Sequence, residues 1–417
     1  MKGKREYLLD NSAIIHLVTR KKWYSNSYRM TVTLKADVDP KLLQQAFEIV
    51  VPRFPTIAAG IRKSLFRYTV VPVERAPEIR KDGENLFLSC MTSEDLSECA
   101  MRIQYGEKTI AGEFFHSLTD GHGAMVFMNT LLAEYLKLAH EINSEAGAMI
   151  LEPSDFPARE EIQDDFYTYA GRKKAPLSSR RSYQIPGKAN CRSRIATTSL
   201  HYEIKDLLEA ARKHHASLTV FLTAVMASSV AEIQKKYSRG GRCRKPVQIM
   251  VPVNLRNLFP SETLRNFSLY ALPCVEPEQC ELSVKELVPL IAEQLKKESS
   301  PEYMAAVMAT HTKADQAALM KLIPVSLKIQ ILKAVQLLYG EPKSCISLSN
   351  LGNLVLPEEI RNHVKQAEFF LTPRLKSPYN CVLLSYEGTC IINFSRFCQM
   401  PELETVFKRK LQQAMGI

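Results

Sequence analysis

The pattern of apolar and polar positions predicts strands and helices that alternate along the first third of the chain. Residues 27–38, SYRMTVTLKADV, alternate as a half-buried strand does. Asp39 and Pro40 then begin a helix, because proline suits the first helical turn. Residues 62–73 are a further strand-like run, and residues 101–116 form two apolar runs around a short polar turn, as in a hairpin. This part of the chain is therefore predicted to be mixed α and β.

A second mixed unit is predicted in the rest of the chain. Residues 194–204 are strand-like, and residues 205–237 contain two helical stretches joined near Ala216. Residues 246–259 have the β-branched character of a buried strand that runs into a polar loop. The remaining predicted elements are a helix from residue 124, a largely helical region (283–339), a strand (345–356), a hairpin (380–397) and a closing helix.

Residues 319–340, LMKLIPVSLKIQILKAVQLLYG, are apolar with interspersed lysines, and two interpretations of them stay open. A helix of this composition is compatible with lying on a membrane surface. Its apolar residues surround much of the helix, however, and this favours packing inside a large domain.

The length of 417 residues exceeds the usual size of one hydrophobic core, so two domains are expected. Residues 171–194 carry eight Lys and Arg, no acidic residue and no clear periodicity. They are the predicted linker between an N-terminal half at 1–170 and a C-terminal half at 195–417. The alternative is that this basic stretch contacts phosphate or a carrier protein.

Composition and cysteine spacing are those of an ordinary globular protein. Hydrophobic residues make up 46% of the chain and charged residues 24%. No apolar run reaches the roughly 18 residues of a membrane span, and the N-terminus lacks a signal-peptide pattern, so no integral membrane segment is expected. The ten cysteines have no CxxC or Cys/His spacing, which indicates reduced thiols. We therefore expect a cytoplasmic protein.

The formal charge of +11 favours anionic partners of several kinds. Nucleic acid, anionic lipid, a phosphate-bearing cofactor and an acidic carrier protein all meet this description. The basic stretch has no interleaved aromatic residues and the chain has no nucleic-acid-binding motif, so nucleic acid is not expected.

Residues 114–123, FFHSLTDGHG, are the strongest candidate for chemistry because they connect a predicted strand to a predicted helix. Asp120 is placed to cap the helix, and Gly121 and Gly123 would permit backbone angles that a side chain forbids. Such a turn can hold the His116 imidazole with one nitrogen exposed, and near pH 7 imidazole accepts a proton well. The alternative is an ordinary connection with a helix cap and a satisfied histidine, and the local pattern alone does not decide.

Other chemistries fit these residues less well. A metal site built from His116, Asp120 and His122 lacks the familiar ligand spacing, so no metal is expected. The chain has no G-x-S-x-G element for a serine hydrolase, and neither a Walker A sequence nor a glycine-rich dinucleotide loop.

The segment HSLTDG resembles the HxxxDG signature of the chloramphenicol acetyltransferase-like superfamily, which includes plant BAHD acyltransferases, nonribosomal-peptide condensation domains and alcohol acetyltransferases. Other segments resemble the superfamily in the same order along the chain. They are YLLDNSAIIH (7–16), residues 38–63, residues 251–270 with an arginine-bearing strand and Asn-Phe loop, and SLSNLGNL (347–354). The resemblance covers essentially the whole chain.

This resemblance implies an α/β fold of two similar halves, each a mixed β-sheet flanked by helices, with an active-site tunnel between them. His116 would deprotonate a hydroxyl or amine acceptor while that acceptor attacks a thioester. Asp120 would pair with Arg256 from the other half and hold the turn, and Gly121 would let the turn close.

The resemblance also implies which residues contact the reacting groups. Ser349 and Asn350 are the expected donors to the oxyanion, and Asn266 is expected to contact substrate. A simple polar turn is the alternative interpretation of residues 349–353.

Two departures from the family pattern narrow the expected function. Condensation domains usually carry a second histidine immediately before the catalytic one, and Phe115 stands there in this chain. The DFGWG motif of the plant enzymes is absent. The expected activity is acyl transfer from acyl-CoA, or from a phosphopantetheine thioester, to a small-molecule acceptor, with no bound cofactor. The alternatives are a condensation-type enzyme that uses an acyl carrier protein in trans and a non-catalytic binding protein.

Overall fold

We describe a computed structural model of the chain. It covers residues 6–417 except 11–12, 22–23, 84–85, 146, 148, 176–179, 188–194, 317–322, 340–342, 374–377 and 399. Two mixed sheets flanked by helices form the body of the protein, so the predicted α/β fold of mixed sheets and helices is confirmed.

The first sheet has five strands in the order β13-β2-β7-β6-β5, and all its pairs are antiparallel except β5 with β6. Its apolar side chains form one core with two helices, α2 and α4. The elements are β2 (Ser27–Leu34), α2 (Pro40–Val50), β5 (Arg80–Lys81), β6 (Met101–Tyr105), β7 (Thr109–Phe115), α4 (Gly121–His140) and β13 (Val364–Leu371).

The second sheet has the order β10-β9-β12-β14-β15-β8, with β11 also paired to β9. The pairs of β12 with β9 and β14 are parallel and the others are antiparallel. The strands are β8 (Ala196–Glu203), β9 (Val247–Asn254), β10 (Ser268–Ala271), β11 (Cys274–Val275), β12 (Ile346–Asn353), β14 (Tyr379–Tyr386) and β15 (Thr389–Arg396). The flanking helices are α7 (Ile204–Lys213), α8 (Leu218–Tyr237), α9 (Val284–Glu298), α10 (Pro301–Gln316) and α13 (Glu402–Met415).

A third, smaller sheet has the order β1-β4-β3 and was not predicted. Its strands are β1 (Tyr7–Leu8), β3 (Ala59–Lys63) and β4 (Tyr68–Pro72). The remaining helices are α1 (Ile14–Thr19), α3 (Ser93–Glu98), α5 (Arg159–Ile162), α6 (Phe166–Tyr169), α11 (Val325–Tyr339) and α12 (Glu358–Arg361).

Most predicted elements are present, including the helix that Asp39 caps and the hairpin of β6 and β7. The single strand predicted at 62–73 is wrong, because these residues turn at 64–67 and form most of the hairpin of β3 and β4. The half-buried character predicted for β2 is also wrong. Ser27, Arg29 and Thr31 are buried and Thr33 is half-buried. Arg29 is tolerated there because it pairs with Glu113 at 3.2 Å and donates to Gln104 at 2.8 Å.

The sequence analysis missed β13, which leaves the C-terminal half and pairs antiparallel with β2 of the first sheet. The first sheet therefore contains a strand from beyond residue 195. The boundary at 171–194 stays a prediction, and residues 176–179 and 188–194 of that stretch lie outside the described residues.

Among the described residues, no single helix has both the length and the apolar character needed to cross a bilayer. In the described part of the chain, α7 and α8 meet those criteria as a pair, and they are bent by 80° at the break between them.

Candidate active site

His116 lies immediately after β7, where the chain turns towards α4. Its backbone N–H donates a hydrogen bond to the carbonyl of Asn26 at 2.9 Å, which continues the pairing of β7 with β2 for one residue beyond the strand. The Tyr28 hydroxyl holds the next part of the turn by donating to the carbonyls of Thr119 and Asp120, each at 2.9 Å. The imidazole is therefore attached to the end of a central strand that is paired on both sides.

Asp120 is the N-cap of α4 and also an ion-pair partner. One oxygen, Oδ1, accepts from the backbone N–H groups of His122 at 3.2 Å and Gly123 at 3.3 Å. The other, Oδ2, accepts from Arg256 Nη1 at 2.8 Å and from the backbone N–H of Phe267 at 2.8 Å. Burial alone would raise the pKa of Asp120, but the guanidinium and these donors lower it, so the group is a carboxylate at neutral pH.

Arg256 also donates to Asn254 Oδ1 at 3.1 Å and to the loop that follows it. Its Nε and Nη2 donate to the carbonyl of Thr263 at 2.8 and 2.6 Å, and Nη2 also reaches the carbonyl of Arg265 at 2.7 Å. Both side chains of the pair with Asp120 are buried, with 7% and 6% exposure. The contact that the resemblance implied between Asp120 and Arg256 is present, and it joins the turn at His116 to the loop at 263–267.

The structural reason for glycine at positions 121 and 123 differs from the predicted one. Neither Gly121 nor Gly123 has a positive φ, so unusual backbone angles do not explain them. A Cβ on Gly123 would lie 2.3 Å from the carbonyl oxygen of Leu264 and 2.2 Å from Thr119 Oγ1, so close approach of that loop requires glycine there. A Cβ on Gly121 would meet Leu351 Cδ2 at 3.0 Å, a tight contact with the residue after Asn350.

Asn266 touches the imidazole directly. Its Oδ1 lies 3.2 Å from His116 Nδ1, and with the amide in this orientation the Nδ1–H is the donor. The lone pair of the imidazole is then on Nε2. Burial lowers the pKa of His116 below its ordinary value of 6.5, although the Asp120 charge and the Asn266 contact oppose the shift. The Nδ2 group of Asn266 is buried and makes no hydrogen bond in the described part of the chain.

His16 was missed as a site residue by the sequence analysis. Its ring stacks on the His116 ring with centroids 4.3 Å apart and an interplanar angle of 7°. Its Nδ1 lies 2.6 Å from Asn26 Nδ2, and Asn26 is the residue whose carbonyl holds the backbone of His116. Burial and the neighbouring His116 lower the pKa of His16 well below 6.5. No spacing in the sequence joins positions this far apart.

The N-terminal segment is fastened near the site by a second buried ion pair. Asp10, 1% exposed, pairs with Arg265, whose guanidinium also bonds the carbonyl of Leu8 and, at 3.3 Å, that of Ile162. Ser117 Oγ in the turn donates to the carbonyl of Ala13 at 2.8 Å. Burial raises the pKa of Asp10 well above its ordinary value, and the Arg265 charge offsets only part of this.

Ser349 and Asn350 lie in β12. The Asn350 amide donates to Thr219 Oγ1 at 3.0 Å and accepts from the Gly352 N–H at 2.9 Å, so both of its polar atoms are used within the protein. Ser349 is buried and pairs in register with Val382 of β14. Phe115, at the position where condensation domains carry a second histidine, is fully buried in the core.

Among the described residues, no group of three or more His, Cys, Asp or Glu side chains has an arrangement that could hold a metal ion. Asp120, one member of the metal site considered from the sequence, is occupied by Arg256.

Comparison with known proteins gives similarity in structure alone. No family model and no curated protein matches the sequence. The chain is similar to F. graminearum TRI101 complexed with coenzyme A and deoxynivalenol, at 12% identity and a TM-score of 0.67 over 97% of each chain. It is similar to the TRI3 trichothecene 15-O-acetyltransferase of Fusarium sporotrichioides, at 11% identity and a TM-score of 0.64 over 98% of this chain and 94% of that one.

A third similar structure is the first condensation domain of the calcium-dependent antibiotic synthetase. It is 14% identical, with a TM-score of 0.60 over 99% of this chain and 96% of that one. Acetyltransferases and condensation domains of this kind have the chloramphenicol acetyltransferase-like fold. At these identities the comparison establishes that fold for this chain, and the resemblance seen in the sequence is confirmed to that extent.

Proposed function

We propose that this protein is an acyltransferase that moves an acyl group from a coenzyme A thioester to a hydroxyl or amine, with His116 as general base. The observation that carries the proposal is the state of His116. Burial favours its neutral form, and Asn266 holds Nδ1–H so that Nε2 keeps the lone pair. A neutral imidazole on a rigid strand end suits proton abstraction at neutral pH.

In the proposed reaction, Nε2 of His116 takes the acceptor proton as the acceptor oxygen or nitrogen attacks the thioester carbon. The tetrahedral intermediate then collapses, the carbon–sulfur bond breaks, and the proton passes from Nε2 to the departing thiolate. The products are an ester or amide and free coenzyme A, and His116 returns to its neutral state.

The intermediate needs hydrogen-bond donors for its oxyanion. One N–H of Asn350 Nδ2 already donates to Thr219, so we favour two other groups for this role. They are the Ser349 hydroxyl and Nδ2 of Asn266, which donates no hydrogen bond in the described part of the chain. Asp120, Gly121 and Arg256 hold the turn and act through the position of His116. We propose in addition that this protein has the active-site tunnel that the resemblance implies.

A thioester on an acyl carrier protein is the second candidate donor, and the similarity to a condensation domain favours considering it. Coenzyme A carries phosphates and carrier proteins are acidic, so a net charge of +11 suits both. We place the reaction in the cytoplasm, in keeping with the cysteine composition.

Thiol release from acetyl-CoA and longer acyl-CoAs, measured with mixed alcohols and amines, tests the proposal. We expect acceptor-dependent release that falls by about 10²–10⁴-fold in His116→Ala, the usual contribution of a general base. His201→Ala is the matched control, since His201 is exposed on β8. Equal release from His116→Ala and wild type would refute the role of His116. Release only from an acyl-carrier donor would select the second candidate, and tight binding without turnover would identify a binding protein.

A further inference from the structure

Large apolar side chains are exposed together where the hairpin of β3 and β4 meets α11. Leu65 and Phe66, in the hairpin turn, are 67% and 45% exposed. Leu327 and Ile331, one helical turn apart on α11, are 53% and 40% exposed. Exposed apolar side chains that cluster in this way usually mark an interaction surface.

Hydrogen bonds hold the hairpin turn and the helix to each other. The backbone N–H of Val325 donates to the carbonyl of Leu65 at 2.8 Å, and Lys328 Nζ donates to the carbonyl of Phe66 at 3.1 Å. Val325 is buried at 4% exposure, so the helix rests on one face and turns Leu327 and Ile331 outward. We call residues 62–67 and 325–334 the basic apolar patch.

The charge of this patch has one sign. Its sequences, RKSLFR and VSLKIQILKA, contain five cations and no acidic residue. Arg62, Lys63, Arg67 and Lys333 are all exposed, although Arg62 also lines a cavity that contains Glu74 and Glu98. A second copy of the same patch would bring cations against cations, whereas an anionic bilayer offers both acyl chains and opposite charge.

We propose that the basic apolar patch docks the protein on the surface of an anionic lipid bilayer, with Leu65, Phe66, Leu327 and Ile331 entering the interface. The protein would lie on the membrane without crossing it. This docking goes beyond the proposed acyl transfer and does not depend on it.

The position of the patch relates docking to the candidate active site. Helix α11 packs against α1, and His16 of α1 stacks on His116. If acyl transfer is the function, a docked enzyme would hold its site close to the membrane, which suits an acceptor or acyl chain dissolved in lipid.

Vesicle flotation of the full chain, without any acyl donor, tests the docking. We expect binding to vesicles of equal parts phosphatidylcholine and phosphatidylglycerol, little binding to phosphatidylcholine alone, and weaker binding at high salt. The double variant Phe66→Ser, Leu327→Ser is expected to partition about tenfold less. Phe156→Ser is the matched control because Phe156 is 95% exposed outside the patch. Lys63→Glu with Arg67→Glu is expected to remove the preference for phosphatidylglycerol.

Wild-type protein that stays unbound with anionic vesicles at low salt would overturn the proposal. Equal losses in the patch variant and in Phe156→Ser would overturn it as well. A lipid-free dimer that the patch variant converts to monomer would instead identify an interface between copies. His116→Ala should bind vesicles as wild type does, so failure of acyl transfer and failure of docking are separately visible.

Discussion

Two segments approach His116 from different parts of the chain, and each is anchored by a buried Asp–Arg pair. The turn at 116–123 contributes Asp120, which pairs with Arg256, and the N-terminal segment contributes Asp10, which pairs with Arg265. Both pairs fasten to the same loop, at 263–267. Despite this likeness, the pKa of Asp120 is lowered and that of Asp10 is raised.

The difference comes from the donors that reach each carboxylate and from the charges beside it. Asp120 receives the Arg256 guanidinium and the backbone N–H groups of His122, Gly123 and Phe267. Burial dominates at Asp10, and the negative charge of Asp164 raises the pKa of Asp10 further. The Arg265 guanidinium opposes both effects, but it is shared with the carbonyls of Leu8 and Ile162. A buried ion pair therefore stabilises the charged form only when hydrogen bonds complete the solvation of its carboxylate.

The largest expected effect in this comparison is that of Asp120→Ala. The substitution leaves Arg256 buried without its partner and removes the cap of α4, so we expect a loss of about 3–5 kcal/mol in the free energy of unfolding together with a loss of activity. Chemical denaturation followed by fluorescence measures it, with the exposed Asp206→Ala as control. Wild-type stability combined with lost activity would contradict the positioning role and leave Asp120 a direct part in the chemistry.

The turn at His116 could be predicted from sequence because its pattern is local. A strand, a histidine, a capping aspartate and a helix stand in ten consecutive residues, and Asp39 and Pro40 mark α2 in the same way. The tertiary contacts that require particular residues in this turn could not be predicted from the sequence. Gly123 is required by the approach of Leu264, more than a hundred residues away, and this contact leaves no mark beside the glycine.

The main features of the fold that the sequence analysis did not predict are pairings between distant segments. β13 has the strand-like sequence VKQAEFFL, yet nothing in those residues specifies pairing with β2 rather than with its neighbours in the C-terminal half. The N-terminal segment was noted for its resemblance, but its place in the site was missed for the same reason, since the contacts of Asp10 and His16 are made with residues 265 and 116.

A smaller effect on the free energy of unfolding is expected when each aspartate is replaced by asparagine. The pH dependence of this effect should be opposite for Asp120 and Asp10. The lowered pKa of Asp120 gives stability that is fully present above its ordinary value of 3.8 and is lost as the pH falls below that value. Asp120→Asn should therefore cost more as the pH rises towards about 4, and its cost should then level off. The raised pKa of Asp10 makes ionisation unfavourable in the folded state, so Asp10→Asn should cost less as the pH rises above 3.8.

Near pH 7 we expect Asp10→Asn to lie within about 1 kcal/mol of wild type, because Arg265 keeps its two carbonyl partners. Urea denaturation of wild type and both variants from about pH 3 to pH 7 measures the slopes, because the Asp120 effect is confined to the acidic end of this range. Slopes of the same sign for the two variants would show that the number of donors does not separate the pairs.

The smallest effect concerns His16, where the N-terminal segment meets the imidazole itself. Burial lowers the pKa of both stacked rings, and the charge on His116 lowers that of His16 further, so His116 takes up a proton first. We therefore expect the acidic limb of kcat/KM to follow one proton, with its midpoint below 6.5. His16→Phe keeps an aromatic ring on His116 and should preserve that slope, with less than about a tenfold change in kcat/KM at pH 7. The pH profiles of kcat/KM for wild type, His16→Phe and the His201→Phe control test this expectation. An acidic limb with a two-proton slope in wild type and a one-proton slope in His16→Phe would contradict it. That result would mean that both rings titrate together and that His16 shares the proton with His116.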